Sequence, residues 1–138
     1  MKPGERAARL VAVAAVAALV AGSITGTFLT IEDDAWPERG GMKAVVQISI
    51  LFTGYAFAVA LAVGALLSLT LSPLMARRGP LAHLFAGLPL GLGVHLLVDA
   101  AIGERIDSAE DWLGGTLAGA SAGPLWWFLV QRHLEKAS

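Results

Sequence analysis

The chain has 138 residues, 56% hydrophobic and 15% charged, with a mean hydropathy of +0.67, whereas a soluble domain is about 45–50% apolar and about 25% charged. It has no cysteine, which excludes disulfides, thiolate metal sites and cysteine nucleophiles. The net charge of −1 says little until it is divided between two sides of a membrane, which the clustering of charges between long apolar runs demands.

Lys2, Arg6 and Arg9 precede an Ala/Val-rich run that continues to Ile31. A basic start before an apolar run also describes a signal peptide, but this run is too long for an h-region. Residues 7–31 are therefore expected to form a first transmembrane helix. Ala14, Ala18, Gly22 and Gly26 make a ladder of small residues on it, a surface that another helix can approach closely.

Glu32 to Gly41 is polar and contains Trp36-Pro37 and Gly40-Gly41, so it reads as a loop. The second span is expected over 42–71, long enough to tilt or protrude. Ser72-Pro73 is expected to end it, because the residue before proline is pushed out of the α region.

Arg77 and Arg78 lie in a short loop, and Pro80 suits the first turn of a third helix over 81–103. His83, Gly87, Gly91, His95, Asp99 and Gly103 recur there at intervals of four. Residues four apart share a face that precesses slowly, so this helix places its glycines and its ionisable groups on one side, away from lipid. Pro89 leaves the Phe85 carbonyl without its usual donor, so a kink is expected. Glu104 to Asp111 is a second acidic loop, and Ser108 with Asp111 fits a capping box. A fourth span is expected over 110–130, with Gly115, Gly119 and Gly123 as its small-residue ladder. Gln131 to Ser138 reads as a polar tail.

The fold expected is all-α: a single polytopic membrane domain over 1–138, a four-transmembrane-helix bundle. With both termini cytoplasmic, the inner segments hold Lys2, Arg6, Arg9, Arg77, Arg78, Arg132 and Lys136. Arg39, Lys43 and Arg105 fall outside, a seven-to-three division of the ten basic residues. The positive-inside rule then places both termini in the cytoplasm, in a membrane read as the bacterial inner membrane. Nine of the eleven acidic residues fall outside, a surface suited to cations or to a basic partner, although solvated loops explain it as well.

Intramembrane ionisable groups usually face protein or water, so His95 and Asp99 are the first candidates. A carboxylate one turn from an imidazole can orient it and hold its proton; the plainer reading is that Asp99 reaches the interface and His95 bonds a hydroxyl. Gln47, Thr53, Tyr55 and Thr116 fall in the same outer half of the bundle and complete an expected outward-facing polar pocket. Serine and threonine hydroxyls also commonly bond their own helix. His83 and His133 are a weaker pair for a metal or haem, expected at the cytoplasmic surface and more simply solvated. The sequence shows no P-loop, Gly-x-Ser-x-Gly or His-Glu-x-x-His, no cofactor motif and no nucleic-acid-binding signature.

The resulting expectation is a non-catalytic accessory or assembly subunit without cofactor. It would pack in the bilayer against other membrane subunits, or itself, through its Gly/Ala faces. The first alternative is a small oligomeric transporter or channel using the pocket around His95 and Asp99. The second is a haem- or quinone-associated redox subunit.

Overall fold

The computed structural model describes residues 2–32, 41–75, 77–103 and 109–133, with side chains for all of them except 29–32, 102 and 109–111. Every regular element among the described residues is helical: α1 (Pro3–Glu32), α2 (Met42–Leu74), α3 (Pro80–Ile102) and α4 (Ala109–Trp126), which runs into a π-helical turn, Trp127–Gln131. Helices α1, α2 and α3 are long and apolar enough to cross a membrane. Helix α4 is not among them. Its α-helical part is only 18 residues long, and Glu110 and Asp111 lie in its first turn.

The ends of the helices follow local chemistry. Helix α1 starts before the apolar run because Pro3 fits a first helical turn and Glu5 lies there to meet the dipole and pair with Arg9. Helix α2 does not end at Ser72-Pro73: it continues to Leu74, with Pro73 inside it and the Met75 N–H closing the last turn on the Leu71 carbonyl. The steric preference before proline is overridden because Ser72 is buried and held by two hydrogen bonds to Gln131. The serine Oγ donates to Oε1 at 3.0 Å, and the Gln131 Nε2 donates to the Ser72 carbonyl at 3.3 Å. Pro80 opens α3 behind Gly79, and Gly103, at φ 78°, closes it in the left-handed conformation that glycine adopts without strain. Pro89 lies within α3. The expected capping box at Ser108, and the acidic loops at 33–40 and 104–108, lie outside the described residues.

Gln131 is not part of a polar tail. It is buried at 3% exposure in the π-turn. A π-turn inserts an extra residue and so resets the helix phase by about 100°, and that rotation brings Gln131 inward toward α2.

The helices pack in the order α2–α1–α4–α3. Small residues set each seam. A Cβ on Gly22 or Gly26 would fall on the backbone of Thr53 or Ser49 of α2. The α3–α4 seam is closer still, backbone on backbone: a Cβ on Gly87 would strike the Gly119 carbonyl, and one on Gly91 the Gly115 carbonyl. Ala14, Ala18 and Ala118 are buried with Val13 and Val130. Helices α2 and α3 share no packed seam, so the bundle is open along one side. Helix α2 exposes Val46, Ile50, Leu51, Leu66 and Leu69 and buries none of its most apolar stretch. In water that surface would be a liability; against lipid it needs no cover.

Candidate functional site

The open side forms a cavity of about 400 Å³. Helix α2 walls one side through Val59 and Val63, α3 the other through Ala86 and Leu90, and α1 and α4 make the floor. It extends along α3 from His83 to Asp99, sixteen residues or about 24 Å of helix. Its wall is mostly apolar, with polar groups gathered at the ends.

At one end stand His95 and Asp99, with Thr25 and Tyr55. The His95 Nε2 lies 3.3 Å from the Asp99 Oδ2, and both side chains are largely buried, at 17% and 14% exposure. The pairing follows from helix geometry, since residues i and i+4 stack on one face, and the mutual contact offsets part of the cost of placing ionisable groups among apolar walls. Tyr55 reaches the cavity while remaining half exposed.

The other residues expected in the pocket lie elsewhere. Gln47 is exposed, Thr53 is against Gly22, and Thr116 is half-buried; none of the three belongs to the cavity wall. The reason is helix phase: equal depth in a bundle does not mean equal facing. Thr25 reaches the wall from α1, where depth alone did not distinguish it from its neighbours. The Thr27, Ser68, Thr70 and Ser121 hydroxyls bond carbonyls of their own helices, as such groups do in apolar surroundings.

At the opposite end His83, Ser72, Met75 and Trp126 close the cavity. His83 is not a solvated surface histidine: it is 5% exposed. Its Nδ1–H donates to the Gly79 carbonyl one turn earlier, at 3.0 Å. His133 is exposed. Among the described residues no group of three or more His, Asp or Glu is placed to hold a metal.

This end is tied by long-range hydrogen bonds to backbone carbonyls. Arg6 Nη2 donates to the Ser68 carbonyl at 3.0 Å, and Arg9 Nη1 donates to the Leu129 carbonyl at the end of α4. A cation there suits the negative pole of that helix. From the sequence, both arginines are topology signals alone. Their second role depends on α1 lying between α2 and α4, which no local pattern encodes. No protein-family model, curated protein or solved structure matches this chain.

Proposed function

We propose that this chain is a non-catalytic, four-span integral membrane protein that takes a single apolar chain into the cleft between α2 and α3, in the manner of a small carrier. Its termini face the cytoplasm of a bacterial inner membrane, on the seven-to-three division of basic residues. The cleft carries the reading. The cleft runs about 24 Å along α3, encloses about 400 Å³ and is walled mostly by apolar side chains of all four helices. A long, mostly apolar cleft of that volume suits an extended hydrocarbon chain. The volume lies within the range of about 300–1,000 Å³ common for ligand pockets. The His95–Asp99 pair gives the cleft one polar mouth.

The test uses Trp126, which is part of the cavity wall. A bromine-tagged long-chain alcohol titrated into reconstituted protein is expected to quench tryptophan emission saturably. Ala86→Phe should weaken that binding by tenfold or more, and Trp126→Phe should remove most of the quenching. Linear, unsaturated quenching that ignores Ala86→Phe would rule the reading out.

A second reading keeps the protein as an accessory subunit or homo-oligomer. The glycine faces on α1, α3 and α4 meet one another's helices or α2 within the chain, so such a subunit would dock through the exposed ridge of α2. Copurification of the tagged native protein with stoichiometric unrelated subunits supports it; a monomer in native mass spectra opposes it.

A further inference from the structure

We infer that the His95–Asp99 mouth selects the head of the bound chain. It takes a primary ammonium, whose N–H groups donate to the His95 ring nitrogen and whose charge is complemented by the Asp99 carboxylate. The inference rests on the cleft reading and adds to it the chemical class of the ligand's polar end.

Among the described residues of the cavity wall, Asp99 is the one carboxylate, and no lysine or arginine is present. Between apolar walls a charge is screened far less than in water, so this carboxylate weighs heavily on which heads the mouth admits. An anionic head would meet a like charge there, and a cationic head an opposite one. On the proposed topology the mouth also opens on the side that carries nine of the eleven acidic residues, a surface that concentrates cations.

His95 and Asp99 act in different ways. The Asp99 Oδ2 is sealed from solvent and lies 3.3 Å from the His95 Nε2, so this oxygen orients the ring and acts on the ligand through its field. A carboxylate only accepts, so Nε2 carries the hydrogen, and in the neutral ring Nδ1 is the acceptor. The His83 Nε2 and the Trp127 Nε1 are sealed as well, whereas neither ring nitrogen of His95 is, and His95 is part of the cavity wall. A Cβ on Gly114 of α4 would lie 3.8 Å from the His95 Nδ1 and 3.8 Å from the Thr25 Oγ1. Glycine there leaves room beside both atoms, and Thr25 brings a hydroxyl from α1 to the same place. Thr25 and the half-exposed Tyr55 are both part of the wall.

An ammonium matches this set. It carries three donors and a positive charge, enough for an imidazole acceptor and a hydroxyl together, beside a carboxylate. An alcohol brings one donor and no charge, a trimethylammonium a charge and no donor, and a carboxylate the wrong charge. The opposite end of the cleft does not compete for the head. There the Ser72 hydroxyl is committed to Gln131, the His83 Nδ1 to the Gly79 carbonyl, and the His83 Nε2 is sealed. What remains is Met75 and the Trp126 ring, a place for the chain terminus.

The experiment displaces the bromine-tagged alcohol from the full chain in micelles of a neutral detergent at neutral pH. Four probes of one chain length are used: hexadecylammonium, hexadecyltrimethylammonium, hexadecanol and hexadecanoate. Hexadecylammonium is expected to bind about tenfold tighter than each of the others, the worth of a charge-assisted hydrogen bond. Asp99→Asn, which keeps the shape of the side chain, and His95→Phe should each reduce that advantage to about twofold or less while leaving hexadecanol within about threefold. Circular dichroism checks the fold of the variants, and the ranking on the unsubstituted protein decides the matter without them. Equal binding of hexadecylammonium and its trimethyl analogue, or a preference for hexadecanol or hexadecanoate, would overturn the inference and leave the cleft reading standing. An ammonium preference that survives in both folded variants would also overturn it. Displacement by none of the four would overturn both readings.

Discussion

Gly119 and Gly93 stand on facing helices and differ in what a methyl group would meet. A Cβ on Gly119 would fall on the Gly87 carbonyl, whereas one on Gly93 meets nothing within 4 Å. The same substitution should therefore have opposite signs. Gly119→Ala forces two backbones apart and is expected to destabilise by about 1–3 kcal/mol. Gly93→Ala should be neutral or stabilise by up to about 1 kcal/mol, from helix propensity. Denaturation in mixed micelles, followed by circular dichroism, compares them directly. The Ser72–Gln131 pair offers a second residue-scale test. Gln131→Leu leaves a buried serine carbonyl and hydroxyl without their partner, expected to cost about 1–3 kcal/mol. A double-mutant cycle with Ser72→Ala should return a coupling of about 0.5–1.5 kcal/mol. Of the residues expected in the polar pocket, His95, Asp99 and Tyr55 line the cavity, and Gln47, Thr53 and Thr116 do not. The first two were legible because helical spacing places them together. The others share only a depth in the bundle, and depth leaves the direction of a side chain open.

At the scale of elements, α3 and α4 form one tight pair through glycine-to-glycine contact, and α1 and α2 form another through Gly22 and Gly26. Helix α1 joins the pairs by packing on α4. The two pairs are thus hinged along one seam, with α2 and α3 as the free edges. The chain has no native cysteine, so cysteine pairs can be introduced without background. Spin labels at Val63 and Leu90, on opposite walls of the cleft, should give a broader distance distribution than labels spanning α3 and α4. Saturating long-chain alcohol should narrow it. An unchanged distribution would argue against a cleft that receives a chain. The ladders of small residues were legible as close-packing surfaces, because glycine at every fourth position of a membrane helix has few other uses. Which ladder meets which was not legible, since all three offer the same chemistry.

For the molecule as a whole, the proposed topology and the proposed ligand make independent claims. Reporter fusions check the first: a fluorescent protein at either terminus is expected to fold and fluoresce in the cytoplasm, and alkaline phosphatase at either terminus to be inactive. An active phosphatase fusion at the C-terminus would leave an odd number of spans, with α4 the natural exception because it is the shortest of the four helices. Arg6 and Arg9 serve both the topology count and the fold. Replacing Arg9 with Gln should loosen the end of α4 by about 1–2 kcal/mol through the lost charge-assisted bond to Leu129, without inverting the protein. Proteolysis near the π-turn reads that loosening.

The sequence by itself determined that the chain is helical and where most helices begin and end; of the four spans it led one to expect, three are long and apolar enough to cross a bilayer. These properties depend on composition, period and local steric rules, which act over a few residues at a time. It also determined that His95 meets Asp99, because one turn of helix fixes that contact. The tertiary structure alone decided that Ser72 and Gln131 are partners across 59 residues, that His83 is buried, and that α2 and α3 stand apart along a cavity. Each of these depends on helix phase and neighbour order. Both are set by the fit of whole surfaces, and in a chain whose seams are all built from small residues that fit is written in no single stretch.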